Sequence, residues 1–249
     1  MNIFDFPPLS AVLSAASAGL SGFGALVTPA LAIVLVTLVL RAALIPVGVS
    51  LARANQARAK LAPQLAALQK KWAKNPERLQ RETMALYASA KVSPFAGCLP
   101  VLLQAPVLTL VYAIFASPTI AGAPNELLGH TLFGAPLGMH LTGLFTGFAP
   151  SDLVLVAVIV AIAVVAWLSR RMTQRQLAKN PAAASGTALP GQAGLARALS
   201  WTPFITVIAA CFVPLAAALY LAVSTAWSLV ERSILARRFP ATPSGLATV

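Results

Sequence analysis

The chain has 249 residues, of which 58% are hydrophobic and only 10% charged, and its mean hydropathy is +0.81. Soluble domains carry roughly 25% charged residues, so this composition excludes a soluble globular protein and indicates an integral membrane protein. The 18 basic and 6 acidic residues give a formal charge of +12. In a membrane protein the placement of such charges sets the orientation of the chain.

The apolar runs predict an all-α, polytopic protein with five transmembrane helices. Residues 1–29 are weakly apolar and lack the cationic start of a secretory signal, so we expect an extracytoplasmic segment with an interfacial helix. Pro203 and Pro214 divide the last long apolar stretch, because proline disrupts a helix interior and favours a helix start. The predicted spans cover residues 30–50, 93–115, 153–168, 199–212 and 214–235. The fourth is short, at about 20 Å, which implies a locally thinned bilayer or a helix buried among its neighbours.

Basic residues are concentrated in two of the predicted connections. Segment 51–92 holds nine and segment 169–198 holds five, whereas segments 1–30 and 116–152 hold none. The positive-inside rule therefore places 51–92 and 169–198 in the cytoplasm, and 116–152 and the N-terminus outside. The arginines near the end of the last span place the 236–249 tail in the cytoplasm as well.

The basic segment 51–92 has the pattern of an antiparallel helical hairpin. Leu61, Leu65, Leu68 and Trp72 follow one another at spacings of four, three and four residues, which is the seam of a helical pair. One interpretation is a solvated charged surface that retains topology. The other is a docking surface for ribosomal RNA or anionic lipid headgroups. Candidate docking residues here and in the second basic loop are Arg53, Arg58, Lys60, Lys70, Lys71, Arg170 and Arg171.

Arg41 lies near the middle of the first predicted span. An arginine at a helix centre in a bilayer costs about 2.5–3.5 kcal/mol or more. The one acid within the predicted spans is Glu231, which lies at the cytoplasmic edge of the last span and not at the depth of Arg41. We therefore expect a hydrated cavity among the helices. The alternative is a side chain that snorkels to the interface from a misplaced span.

Other polar side chains are candidates for lining the same cavity. They fall within the first, second and last spans, and simple interhelical hydrogen bonding is an equally open role for them. The predicted groove residues are Arg41, Thr37, Gln104, Tyr220 and Ser224.

Several segments of the chain resemble the YidC-type membrane protein insertases. LAPQLAALQKKW at 61–72 and MALYASAKVSP at 84–94 look like the family's cytoplasmic hairpin. VSPFAGCLPVLLQAPVLTLVY at 92–112 is similar to the family's run that opens its second core span, and TLVLRAALIP at 37–46 is similar to the span that carries its groove arginine, with Arg41 in that position. VPLAAALYLAVSTAWSLVER at 213–232 resembles the last core span. The resemblance covers roughly residues 30–238 and is to the short, actinobacterial-like form, without a large periplasmic domain.

Departures from the family pattern concern the last span most. Leu221 stands where an aromatic residue is usual after Tyr220, Thr225 stands for Asn, and Glu231 stands for Gln. At the start of the second span, Ser93 stands for Asn. Leu221 weakens the transfer of an aromatic substrate contact to this chain, although Tyr220 remains.

The resemblance implies a non-enzymatic insertase and chaperone of the bacterial inner membrane. Nascent membrane proteins would enter a hydrophilic groove open to the cytoplasm, with the ribosome, the Sec translocon and lipids as partners and no sequence-specific nucleic acid. His130 and His140 have no ligand-spaced partner, so we expect no catalytic residue, metal or cofactor. A channel or transporter subunit with a cationic intramembrane site is the alternative.

Overall fold

The computed structural model describes residues 27–90, 113–115, 119–120, 123–141, 149–179 and 201–239, together with residues 15, 18, 19, 22, 24, 109, 110 and 117. These residues are mostly helical, which agrees with the all-α prediction. The longer helices are α1 (Pro29–Ala43), α2 (Ile45–Lys71), α3 (Pro76–Ser89), α4 (Asp152–Lys179), α5 (Thr202–Ala210) and α6 (Leu215–Arg238). Two short antiparallel hairpins lie before α4, namely β1 (Thr119–Ile120) with β2 (Ala123–Pro124) and β3 (Thr131–Leu132) with β4 (Ala135–Pro136), and the 3-10 helix Glu126–Gly129 lies between them.

The chain divides into two compact units. The first contains residues 1–43, 101–166 and 204–228, and the second contains residues 44–100, 167–203 and 229–249. The unit boundaries fall within α4 and α6, so each of these helices contributes residues to both units.

The described part of the first unit contains two apolar clusters, and the larger one joins α1, α4 and α6. Ile33 of α1, Phe115, Ile162 of α4 and Tyr220 of α6 are all buried in it. The loop between the hairpins and α4 also caps α6, because Leu215 N donates to Met139 O at 2.9 Å and Ala216 N donates to Leu137 O at 3.0 Å. The first N–H groups of a helix have no partner within it, so these bonds fix where α6 begins.

The β3–β4 hairpin has a two-residue turn at Phe133 and Gly134. Their φ angles are 49° and 84°, and positive φ at both central residues is the requirement of the tight hairpin turn whose twist matches the strands. Gly134 meets that requirement without strain. Phe133 meets it at a cost and its side chain is 89% exposed.

The second unit contains a helical pair formed by α2 and α3. The helices pack together and bury Leu61, Leu65 and Leu79. Asn75 caps α3 by accepting a hydrogen bond from Arg78 N at 3.1 Å, and Pro76 occupies the first helical position, where its missing N–H costs nothing. The Asn75-Pro76 sequence therefore determines where the turn ends and α3 begins.

The structure differs from the prediction of one helix over residues 30–50. Helix α1 ends at Ala43, Leu44 is a turn residue, and α2 begins at Ile45 and runs to Lys71. Pro46 accounts for the break, because proline has no N–H and its ring clashes with the carbonyl four residues earlier when it lies inside a helix. At the second position of a new helix neither effect matters.

Three other helix boundaries also differ from the predictions. The helix predicted over 153–168 extends to Lys179, since the polar residues after Ser169 contain no helix breaker. The helix predicted over 199–212 is only Thr202–Ala210, and the one predicted over 214–235 is Leu215–Arg238. Most of the segments 1–29, 93–115, 180–200 and 240–249 lies outside the described residues.

By length and composition alone, one described helix, Asp152–Gln176, is long and apolar enough to cross a membrane. A second candidate arises if Pro29–Ala43 and Ile45–Lys71 are taken together as one broken span. Large apolar side chains are also exposed on α1 and α5, among them Val39 at 68% and Ile205 at 63%. Water disfavours such exposure and lipid does not, so these faces suit a bilayer.

Candidate functional site

Helices α1 and α6 of the first unit carry four of the five predicted groove residues. On α1, Ala30, Ile33 and Thr37 are buried and Arg41 follows at the next turn. Residues three and four apart share one helix face. These four residues therefore form one stripe along α1, which is apolar at Ala30 and Ile33 and polar at Thr37 and Arg41. The fifth predicted residue, Gln104, lies outside the described residues.

Arg41 and Ser224 are brought together although 183 positions separate them in the sequence. Arg41 Nε donates to Ser224 Oγ at 3.1 Å, and Nη2 of the same guanidinium donates to the same oxygen. Ser224 is 1% exposed and Arg41 is half-buried. The charged group of α1 is therefore directed to a buried hydroxyl on α6.

The hydroxyl groups around this pair bond to their own helices. Thr37 Oγ1 donates to Ile33 O at 2.6 Å, and Ser228 Oγ donates to Ser224 O at 2.9 Å. Each hydroxyl proton is thus used locally while the oxygen still has acceptor capacity. Thr37 is 2% exposed, so its hydrogen-bonded hydroxyl group is buried one helical turn before Arg41.

Tyr220 lies one turn before Ser224 on the same face of α6. Its side chain is buried within the apolar cluster that also contains Ile33, so the face passes from aromatic to polar within a single turn. A cation at low dielectric attracts anions more strongly than it would in water. The guanidinium of Arg41 therefore gives this part of the first unit a cationic group beside the polar turn of α6.

The predicted docking residues belong to the second unit. Lys60, Lys70 and Lys71 lie exposed on α2, and Arg53 of the same helix lies over the Phe239 ring at 5.8 Å from its centroid. Arg58 also lies within α2.

Arg170 and Arg171 of α4 stack on tryptophan rings. The Cζ atom of Arg170 lies 3.7 Å from the ring centroid of Trp201, and that of Arg171 lies 3.8 Å from Trp167. Sequence reasoning missed both tryptophans as members of a site. The spacing of four between Trp167 and Arg171 was an available signal, but nothing in the sequence pairs Arg170 with Trp201.

Glu231 of α6 approaches the first turns of α2. A Cβ atom added to Gly48 would collide with the Glu231 carboxylate. The carboxylate therefore occupies space that only glycine leaves open, and it lies near a helix N-terminus, where negative charge is favourable. Within the described part of the chain, no group of three or more His, Cys, Asp or Glu side chains is placed to hold a metal.

Comparison with known proteins gives one family match and several similar relatives. Residues 23–242 match the family described as 60Kd inner membrane protein. The chain is 34% identical over 159 residues to the membrane protein insertase YidC of Oceanobacillus iheyensis, and that match covers 58% of this chain and 57% of the relative. It is 39% identical over 102 residues to the protein of the same name from Clostridium perfringens, covering 41% of this chain and 43% of the relative. The corresponding Burkholderia mallei protein is 35% identical over 102 residues, or 18% of its length.

Proposed function

Because the chain belongs to the 60Kd inner membrane protein family, we propose that it is a membrane protein insertase and chaperone of the bacterial inner membrane. Its substrates would be nascent membrane proteins, whose polar segments enter a hydrated groove facing the cytoplasm. The alignments cover between 18% and 57% of the length of the relatives named above, and those relatives are themselves named insertases. Family membership favours this function over a channel or transporter subunit.

The hydrogen-bonded pair of Arg41 and Ser224 is the observation that carries the proposal. It places a positive charge between α1 and the part of α6 that belongs to the first unit, with Thr37 and Tyr220 one turn away from its members. Such a charge is costly in lipid, and hydration of the surrounding groove would offset that cost. Water in the groove would also shorten the apolar distance that a polar segment must cross.

The mechanism needs no covalent step. Arg41 attracts the acidic, unstructured end of a client protein into the groove, and Thr37, Gln104, Tyr220 and Ser224 line its path. The apolar span of the client then partitions into lipid, which supplies the driving force, and the membrane potential assists the transfer of negative segments outward. The protein therefore acts as a binding surface that lowers a barrier.

We further propose five membrane spans, with the N-terminus outside and the C-terminus in the cytoplasm. The fourth is α5, whose nine residues rise only about 14 Å, so this part of the protein favours a thinned bilayer. In this orientation the α2–α3 pair is a cytoplasmic hairpin. Its basic residues, with the basic end of α4, would dock ribosomes or lipid headgroups, and the Sec translocon is a further candidate partner.

Insertion by the purified chain in proteoliposomes tests this function. The client is a single-span protein with a short acidic N-terminal tail, and the readout is the fraction of tails protected from external protease. We expect wild-type protein to protect more tails than empty liposomes do. Arg41→Ala should protect fewer, whereas Lys74→Ala, which removes the same charge from the exposed turn between α2 and α3, should match the wild type.

Two results would contradict the account at different points. Wild-type protein that inserts no more client than empty liposomes would overturn the insertase function. Insertion by Arg41→Ala at the wild-type level would leave the function but overturn the role of the charge.

A further inference from the structure

Two stacked pairs in the second unit form what we call the arginine–tryptophan cluster, which consists of Trp167, Arg170, Arg171 and Trp201. In each pair a guanidinium lies within 4 Å of an indole centroid, at 3.7 and 3.8 Å. Both indoles nevertheless remain open to the surroundings, with Trp167 43% and Trp201 49% exposed. The cluster therefore presents aromatic surface and positive charge side by side.

Stacking leaves the hydrogen-bonding edge of a guanidinium available. The indole covers one face of the ion, whereas its five N–H donors lie in the plane and match the oxygens of a phosphate in pairs. Neither arginine forms an ion pair within the described part of the chain, and Arg170 Nε is buried there without a hydrogen-bond partner. An unpaired buried donor of a charged group is costly. The rest of the Arg170 side chain is half-buried and Arg171 is exposed, so an anionic ligand at the exposed part of these side chains would be stabilising.

The position of the cluster along α4 matches the depth of lipid headgroups. Asp152 begins the helix, and the rise along the helix from there to Arg170 is about 27 Å, close to the ~30 Å thickness of a hydrocarbon core. Val160, Val164 and Leu168 are exposed along this stretch, as lipid-facing residues are. Tryptophan is enriched at the level where such a stretch meets the headgroups.

The exposed indoles and Leu168 favour lipid over ribosomal RNA as the ligand. A soluble polyanion would satisfy the arginines but would leave the neighbouring apolar surface in water, whereas a phospholipid supplies both a phosphate and acyl chains. We propose that the arginine–tryptophan cluster binds the headgroup phosphate of an anionic phospholipid in the cytoplasmic leaflet. The proposal rests on the orientation given under the proposed function and names the partner of two of its docking residues.

Native mass spectrometry of the full chain in detergent tests this proposal with phosphatidylglycerol and phosphatidylcholine at equal concentrations. Wild-type protein should retain more phosphatidylglycerol than phosphatidylcholine. The double variant Arg170→Gln/Arg171→Gln should lose about tenfold in phosphatidylglycerol affinity, because one charge-assisted hydrogen-bonded contact is worth about one such factor. The control, Arg237→Gln/Arg238→Gln, removes the same charge from the exposed last turn of α6 and should keep the preference. Unchanged helicity by circular dichroism establishes that both variants are folded.

Equal retention of the two lipids by wild-type protein would overturn the proposal, as would an equal loss in the control variant. A preserved lipid preference with lost ribosome co-sedimentation in Arg170→Gln/Arg171→Gln would reassign the cluster to RNA. Lipid binding is measured without a client protein, so a chain that prefers phosphatidylglycerol but inserts nothing would overturn only the proposed function.

Discussion

The guanidinium of Arg41 donates hydrogen bonds to an uncharged oxygen of another helix. Both Nε and Nη2 of Arg41 donate to Oγ of Ser224, and Ser224 is buried. This contact orients the side chain of Arg41, and we propose that the oriented guanidinium attracts the acidic segment of a client.

A double-mutant cycle on Arg41→Ala and Ser224→Ala measures this interaction. Hydrogen bonds to charged groups contribute about 1.5–3 kcal/mol, so we expect the two substitutions to be coupled by about that amount in unfolding experiments in mixed micelles. Ser228→Ala is the matched control, because its hydroxyl donates to the backbone of its own helix. Additive effects of Arg41→Ala and Ser224→Ala would show that the pair is not a stabilising contact.

Single residues of the candidate site could be proposed from sequence, but their pairing could not. A charged residue in an apolar run identified Arg41, and the spacing of four on the last helix placed Tyr220 and Ser224 on one face. Helical periodicity states which residues share a face and says nothing about which helix lies opposite. The bond between Arg41 and Ser224 therefore required the tertiary structure, as did the stacking of Arg170 on Trp201.

At the scale of elements, the close approach of α6 to the first turns of α2 depends on a glycine. Gly48 leaves the space that the Glu231 carboxylate of α6 occupies. Glycine inside a helix costs roughly 1 kcal/mol relative to alanine, and this cost is offset here by room for an acidic side chain near the positive end of the helix dipole.

The substitution Gly48→Ala separates these two effects. In the Glu231→Ala background we expect Gly48→Ala to stabilise the protein by up to about 1 kcal/mol, the helix-propensity gain alone. In the otherwise wild-type chain the added methyl group displaces the carboxylate, so the gain should shrink or change sign. Thermal unfolding of the four proteins provides the comparison, and the same gain in both backgrounds would contradict the close approach of Gly48 and Glu231.

The helices themselves were predictable and their ends were not. Apolar runs located α1, α4, α5 and α6, because burial and lipid exposure both demand apolar residues. The break at Leu44 was missed because the hydropathy stays high across Pro46. Proline nevertheless prevents the backbone from forming one continuous helix there. The continuation of α4 to Lys179 was missed for the opposite reason, because the hydropathy falls after Leu168 while the helix propensity does not.

At the scale of the whole molecule, the distribution of charge predicts the orientation in the membrane. Single cysteines introduced at Gln80, in the basic segment, and at Phe133, in the uncharged loop, test it in a chain whose Cys98 and Cys211 are replaced by serine. We expect a membrane-impermeant thiol reagent to label the Gln80 position only in inverted vesicles and the Phe133 position only in right-side-out vesicles. Both positions are exposed, and labelling of both from the same side would contradict the five-span topology.

Whether a client touches the polar face is the central question, and cysteine crosslinking to a ribosome-stalled nascent chain answers it directly. Thr37→Cys places a thiol of similar size one turn before Arg41, and Val39→Cys places one on the 68% exposed face of the same helix. We expect a cysteine in the acidic tail of the client to form a disulfide with residue 37 and not with residue 39. Crosslinking at residue 39 alone, or equally at both, would contradict entry through the groove that contains Arg41 and Ser224.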